Sequence, residues 1–448
     1  MFKRALAISM AFIGVIVGAG FASGQEAMQY FVAFGNWGLV GVVVASVMML
    51  IAGVAMLQLG SYFQASEHTA VYQKISGPIT SKILDVSTIV TLFSIGFVMF
   101  AGGGSNLNQQ FPSIPIWAGA TILLVLVILV GLLDVNKVTA VIGAITPFVI
   151  VFIVLATTYT IIQADVNLQI LNTYATENVN TTLPNWWISA LNYTGLNILC
   201  AVSMSIVIGG SILDGRAVGY GGIIGGFFYL LLLGLLVFSL YFVAADVNGL
   251  DMPVLELINH INPVLGYIMT FVIYGMIFNT AVGMFYALGK RLTRGKPRLF
   301  FPVYAASCVI GFALSFIGFQ QLVGGVYPIL GYMGLLMFVV LAVNWVRNRG
   351  KISGESERRM RARTLLARRV DPRKRFTKKN QEELSKLAKE SNMDDDKFVE
   401  TVSDEILDEL EADDSLTEFD RDNPSSGVTY VEHTKPESAP VKKSDRKA

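Results

Sequence analysis

Four glycines, Gly14, Gly18, Gly20 and Gly24, fall within eleven residues of the first apolar segment, and Gln25 and Glu26 follow directly. Each glycine costs a helix interior about 1 kcal/mol relative to alanine, so this run makes a poor continuous helix. Inside a bilayer, unwound backbone is tolerated only where protein buries it or where it lines a wet cavity. Close helix packing through small residues accounts for Gly14, Gly18 and Ala22, which lie one turn apart. It does not account for Glu26, because an acid at the bilayer centre costs about 2.5–3.5 kcal/mol and normally faces a cavity or a partner. A second irregular stretch is Asn192-Tyr193-Thr194-Gly195-Leu196-Asn197, with Ser203, Ser205, Gly209, Gly210 and Ser211 beyond it. Its plainer explanation is interhelical hydrogen bonding, worth about 0.6–2 kcal/mol per side chain. The apolar segments carry no His/Glu metal spacing, no Cys/His pair and no paired acids. His68 and His260 lie in connectors, and Cys200 and Cys308 sit inside apolar runs. An enzyme is therefore not expected, nor an organic cofactor.

The elements that must position these residues are membrane spans. Hydrophobic residues make up 53% of the 448 and charged residues 15%, where a soluble protein has about a quarter of its residues charged. The chain reads as an all-α polytopic membrane protein with about ten transmembrane helices, each needing about 20 apolar residues. The expected spans are Ala5–Phe34, Gly38–Tyr62, Ile83–Gly103, Ile116–Leu133, Val138–Gln163, Trp187–Ile212, Gly219–Val243, Val264–Leu288, Leu299–Phe316 and Leu322–Val346. Lys3 and Arg4 before an apolar run also fit a signal peptide, but apolar character resumes after Glu26 and an uncleaved first span is simpler. If the spans alternate, Lys3, Arg4, Lys74, Lys82, Lys137, Arg216, the cluster from Lys290 to Arg298 and Arg347 share one side. The opposite connectors, such as Ser105–Pro115 and Ala245–Asn262, contain no Lys or Arg. The positive-inside rule then places both termini in the cytoplasm. Tryptophans at span ends read as interfacial anchors.

The two irregular stretches occupy spans one and six, the corresponding members of two five-span halves. Five is odd, so a repeat of the halves must be inverted, and interrupted helices at matching places in inverted repeats point to a transporter's binding site. On Gly14–Glu26 and Tyr193–Asn197, residues 5–346 resemble the amino acid–polyamine–organocation (APC) superfamily with its LeuT-like five-plus-five repeat, and within it a group of uncharacterised bacterial membrane proteins. The resemblance implies broken first and sixth helices. Backbone N–H groups of Gly18, Ala19, Gly20, Phe21 and Ala22 would meet a substrate carboxylate, with Tyr193, Thr194, Gly195 and Asn197 at the other end of the ligand. It also implies a candidate sodium site formed by carbonyls of Gly14 and Val17 and side chains of Asn279 and Thr280. Asn279 departs from the commoner Ser or Thr there, although an amide oxygen still coordinates a hard cation. Glu26 departs as well, and would carry a proton or meet a substrate amine.

The expected function is cation-coupled secondary transport of a small organic solute, an amino acid or related amine, with Na+ or H+ as coupling ion, in a bacterial plasma membrane. The alternative is a non-transporting sensor or scaffold that signals through its tail. Residues 1–349 form the transporter-like domain and 350–448 a cytosolic tail. The tail is basic from Arg347 to Lys379 and acidic from Asp394 to Asp414, where Phe398, Val402, Ile406 and Leu410 recur on one helical face. The basic part fits anionic lipid; nucleic acid has no supporting aromatic pattern. The amphipathic face fits either a protein partner or the basic segment itself, and the Ser- and Pro-rich end reads as disordered.

Overall fold

The computed structural model describes residues 2–132, 146–163, 167–294, 296–371 and 375–393, with 398–399, 402–404 and 406–407 beyond them. Lys137, the start of the fifth expected span, Arg373, Lys374, Asp394, Leu410 and the Ser- and Pro-rich end lie outside the described residues. All the described elements are helices.

The first span is divided. Helix α1 (Phe2–Ile16) stops before Gly18, whose backbone is extended (φ −102°, ψ −169°). Helix α2 (Ala19–Ser23) then runs to Gly24 and α3 (Gln25–Tyr30) continues beyond it. Gly24 adopts φ 82°, a left-handed conformation open to glycine at little cost, and a Cβ there would press on Val254 and Leu240. The remaining spans follow as α4 (Asn36–Phe63), α6 (Pro78–Gln110), α7 (Ile116–Val130), α8 (Thr146–Gln163), α10 (Trp186–Gly210), α11 (Gly215–Phe242), α14 (Pro263–Leu292), α15 (Phe300–Leu314) and α16 (Phe319–Val370). Among the described residues, seven helices are long and apolar enough to cross a membrane. With the shorter apolar α7 and α8 and the divided first span, the described helices fit the ten expected crossings.

Connector helices sit at both ends of the bundle: α5 (His68–Ile75) on the side of the basic residues, and α9 (Leu168–Asn178), α12 (Ala244–Val247) and α13 (Pro253–Ile261) on the other. Local chemistry sets many starts. Proline opens α6, α13 and α14, where its missing N–H has no helical partner to lose. Asn185 caps α10 by accepting from the Ile188 N–H, and Asp214 caps α11 through Arg216 and Ala217.

One expectation is corrected. The sixth span is not broken: α10 is continuous from Trp186 to Gly210, because its polar side chains bond their own helix or a neighbour. Thr194 donates to Ala190 O and Ala45 O, and Asn192 Nδ2 donates to Pro328 O at 2.8 Å. In the second half the disturbed backbone lies in α16, which nevertheless stays a continuous helix. Pro328 lies inside that helix and leaves the Gly324 carbonyl without its usual donor; Thr182 Oγ1 fills the vacancy at 2.6 Å. Helix α16 runs through residues 349 and 350, where the transporter-like domain is expected to give way to the tail.

Helix α4 packs against α10 and α11, α1 against α11, and α10 against α16, while α6, α7, α14 and α15 form a second group. Beyond the spans, Ala362, Leu365, Leu366 and Val370 of α16 cluster with Leu384 and Ala388 of α17 (Lys378–Glu390). Phe398, Val402, Ile406 and Leu407 join the same cluster, so the acidic stretch folds back on the basic one. Several of the arginines expected at lipid are spent internally: Arg361 pairs with Glu383 at 2.6 Å, and Arg358 and Arg359 pair with Glu355.

Candidate functional site

The break at Val17–Gly18 opens onto a cavity of about 340 Å³ between the two helix groups, within the range of small-molecule sites. Its wall brings together Gly14, Val17, Gly18, Ala19, Gly20 and Phe21 from the divided span with Glu26, Asn197, Asn279 and Thr280. Four of the residues expected to contact a ligand are elsewhere. Ala22 is fully buried behind the wall, Thr194 turns to α4, and Gly195 is pressed against the Gly331 carbonyl of α16. Tyr193 stands one layer behind Glu26, packed edge-on against Phe31 with ring centroids 5.0 Å apart.

Glu26 occupies its place because Gly20 has no side chain. A Cβ on Gly20 would overlap the Glu26 carboxyl group, so the acid folds back across the α2 backbone. It is 9% exposed. Asn197 donates to Tyr193 O at 2.9 Å, which fixes its amide at the wall. No Lys, Arg or His is among the wall residues, so Glu26 has no cationic partner inside the cavity. Thr280 Oγ1 donates to Met276 O at 2.9 Å, leaving its lone pairs for an electrophile.

Sequence reasoning missed the apolar part of the wall. Met276, Gly283 and Met284 of α14 lie on the same helical face as Asn279 and Thr280, and Leu92, Ile95 and Met99 line the cavity from α6. Their three- and four-residue spacing was the available signal. Tyr327, beside Pro328, closes one end.

The cavity is one-sided. Gly14, Gly283 and Ala287 are exposed along it, and a Cβ on either glycine would meet nothing within 4 Å. That side is the end of the bundle carrying Lys74, Arg216 and the 290–298 cluster. At the other end, Phe21, Gln25, Tyr30 and Tyr327 are buried. Gln29 Nε2 donates to Gln320 O, and Gln109 exchanges two hydrogen bonds with the Met252 backbone just before α13. Next to the cavity on its open side, Ser203 Oγ of the wall is 2.7 Å from His68 Nδ1 of α5. Burial, and then the Arg291 charge, lower the His68 pKa to about 4. Arg291 itself pairs with Asp85, and Arg294 with Glu67 at 3.5 Å.

A divided first span, two interlocking helix groups and a mid-bundle cavity at the break define a LeuT-like fold. No family model matches the sequence. The chain is similar to MhsT, solved in complex with L-phenylalanine, with a TM-score of 0.54 and 11% identity over 90% of this chain and 96% of that one. Two proteins of Bacillus subtilis (strain 168) are similar in sequence. The uncharacterized membrane protein YkvI is 24% identical over 328 residues, 73% of this chain and 92% of YkvI. The uncharacterized protein YyaD is 25% identical over 335 residues, 73% of this chain and 93% of YyaD. The chain is thus a polytopic membrane protein with an all-α, LeuT-like architecture.

Proposed function

We propose that this protein is a secondary active transporter of a small organic solute, an amino acid or related amine, working by alternating access. The observation that carries the proposal is the cavity at the Val17–Gly18 break, exposed on one side of the bundle and sealed on the other. A carrier must present its site to one side at a time, and helix breaks near the midplane are where such sites form. The uncompensated Glu26 carboxyl group supports a ligand ammonium or a coupled proton as its partner, since a buried charge must be paired or neutralised. The methionines and leucines of the wall support an apolar ligand body, and unbranched methionine adapts to its shape. Coupling to Na+ is supported by Gly14, Val17, Asn279 and Thr280 lying on one wall, and coupling to H+ by Glu26. The basic face is the cytoplasmic one on the positive-inside rule, in a bacterial plasma membrane. Exposed Arg347, Arg349 and Lys351 on that face fit anionic lipid headgroups.

Ligand-induced thermal stabilisation with an amino-acid and amine panel tests the site. Glu26→Gln and Asn197→Ala are expected to abolish the shift given by the best ligand, and Thr194→Val to keep it. Equal loss in all three variants would place the ligand elsewhere. A sensor that signals through the tail is the second reading, favoured by the docking of the tail onto Leu213 between α10 and α11. Binding without flux would select it.

A further inference from the structure

The end of α4 is held by the tail. Arg359, 3% exposed, donates from Nη1 to Ser61 O at 2.7 Å and from Nη2 to Tyr62 O at 3.0 Å. Tyr62 O is a last-turn carbonyl that the helix itself cannot satisfy, while Ser61 O also accepts from Gln64 N at 3.2 Å and from Gln64 Nε2 at 2.7 Å. Glu355, 1% exposed, orients Arg359 through Oε1 at 2.9 Å and accepts from Ser391 Oγ at 2.6 Å. Asn392 accepts from Arg359 Nη2 and donates to Tyr62 O at 2.6 Å. The same tail grips the α10–α11 connector: Leu213 enters its apolar cluster, and Arg216 pairs with Glu357 at 2.7 Å. Ser61 Oγ in turn donates to Ile212 O at 2.6 Å. Six residues beyond Tyr62 comes His68, bonded to Ser203 on the cavity wall.

We propose that Glu355, Glu357, Arg359, Ser391 and Asn392 form a latch, clamping the ends of α4, α10 and α11 to α16 so that the carrier stays open on its basic face. The inference rests on the alternating-access reading. Those helices and α16 belong to the group that bears the divided span, and the connector that leaves α4 reaches the second group, where Glu67 pairs with Arg294 just past the end of α14 at 3.5 Å; holding the end of α4 therefore holds a contact that the second group must break for the cavity to change sides. A buried ion pair joined to main-chain carbonyls is geometrically demanding, so it favours one arrangement over any in which α4 has moved. Withdrawing Asn392 strips a partner from Arg359, and withdrawing Ser391 strips one from Glu355.

The test uses the full chain with Cys200→Ser, Cys308→Ser and a Gly283→Cys probe in the open cavity wall. Membranes presenting the basic face are treated with a maleimide too polar to cross lipid. Arg359→Met is expected to slow labelling at least three-fold, as the protein leaves the state open on that face, and to speed trypsin cleavage within the tail. Should Arg359→Met fail to fold, Leu213→Ser, which strands no buried charge, is expected to act in the same direction. A tail freed for trypsin with labelling unchanged would overturn the latch. Labelling needs no substrate, so this result is independent of uptake, whose absence under every gradient would instead count against the transport reading.

Discussion

Glu26 and Gly20 act as one unit, because the carboxyl group lies where a Gly20 side chain would be. Gly20→Ala should lower the thermal midpoint by an overpacking cost of about 1–3 kcal/mol. Gly20→Ala combined with Glu26→Ala should recover most of that loss, and a double-mutant cycle reads the coupling. Equal losses in the single and double variants would mean that the two groups do not meet. His68 makes a separate prediction. Folded, it stays neutral to about pH 4, held there by burial and by Arg291, with Asp85 and Glu67 opposing. Unfolded, it takes up a proton near pH 6.5. The unfolded chain therefore binds more protons between about pH 6.5 and 4, and the stabilisation present above pH 6.5 is lost as pH falls through that window. His68→Gln should flatten this slope in a thermal titration; an unchanged slope would assign it to other groups. At this scale the density of glycine around an acid in an apolar run made Gly14 to Glu26 legible without a structure. The apolar wall was legible only as a helical face: the spacing of Leu92, Ile95 and Met99 marks one side of a span, and what that side faces appears only once the helices are assembled.

Among the helices, the tight crossing of α10 and α16 shows why the sixth span was misread. A Cβ on Gly195 would collide with Gly331 O, and one on Gly334 with Gly195 O. Here glycine permits two backbones to touch, and in the first span it permits the backbone to turn; the residue type is the same in both. Density separates them, since Gly195 stands alone among helix-compatible neighbours while Gly14 to Gly24 do not. Gly195→Ala and Gly334→Ala should each cost stability, because the contact is with main chain that cannot rotate away. Gly234→Ala, where a Cβ meets nothing within 4 Å, should be neutral or stabilising by about 0.4–1 kcal/mol. Thermal midpoints of the three variants in one detergent check this, and a Gly195→Ala protein as stable as the parent would argue against the crossing. The same contrast applies to α16. Pro328 passed unremarked within an expected span, and the repair of its helix by Thr182, across 142 residues of chain, was beyond any local pattern.

For the whole molecule, the alternation of basic connectors counted the spans, and the described helices fit that count. What alternation cannot convey is which helices group together, because that depends on contacts such as α4 with α10 and α6 with α14. Nor did the charge run after Arg349 reveal that its arginines grip the body, for Glu355 and Arg359 read alone are an ordinary i,i+4 pair. On the alternating-access reading, the architecture, the one-sided cavity and the proposed latch make one account: a carrier at rest, open on its basic face. The most direct measurement of its central claim is uptake of labelled amino acids and amines into proteoliposomes, with sodium and proton gradients imposed separately. The account predicts saturable accumulation under one gradient, lost in Glu26→Gln if protons drive it and in Asn279→Ala if sodium does. Folded, oriented protein that binds a panel member yet moves none of it under either gradient would contradict the account.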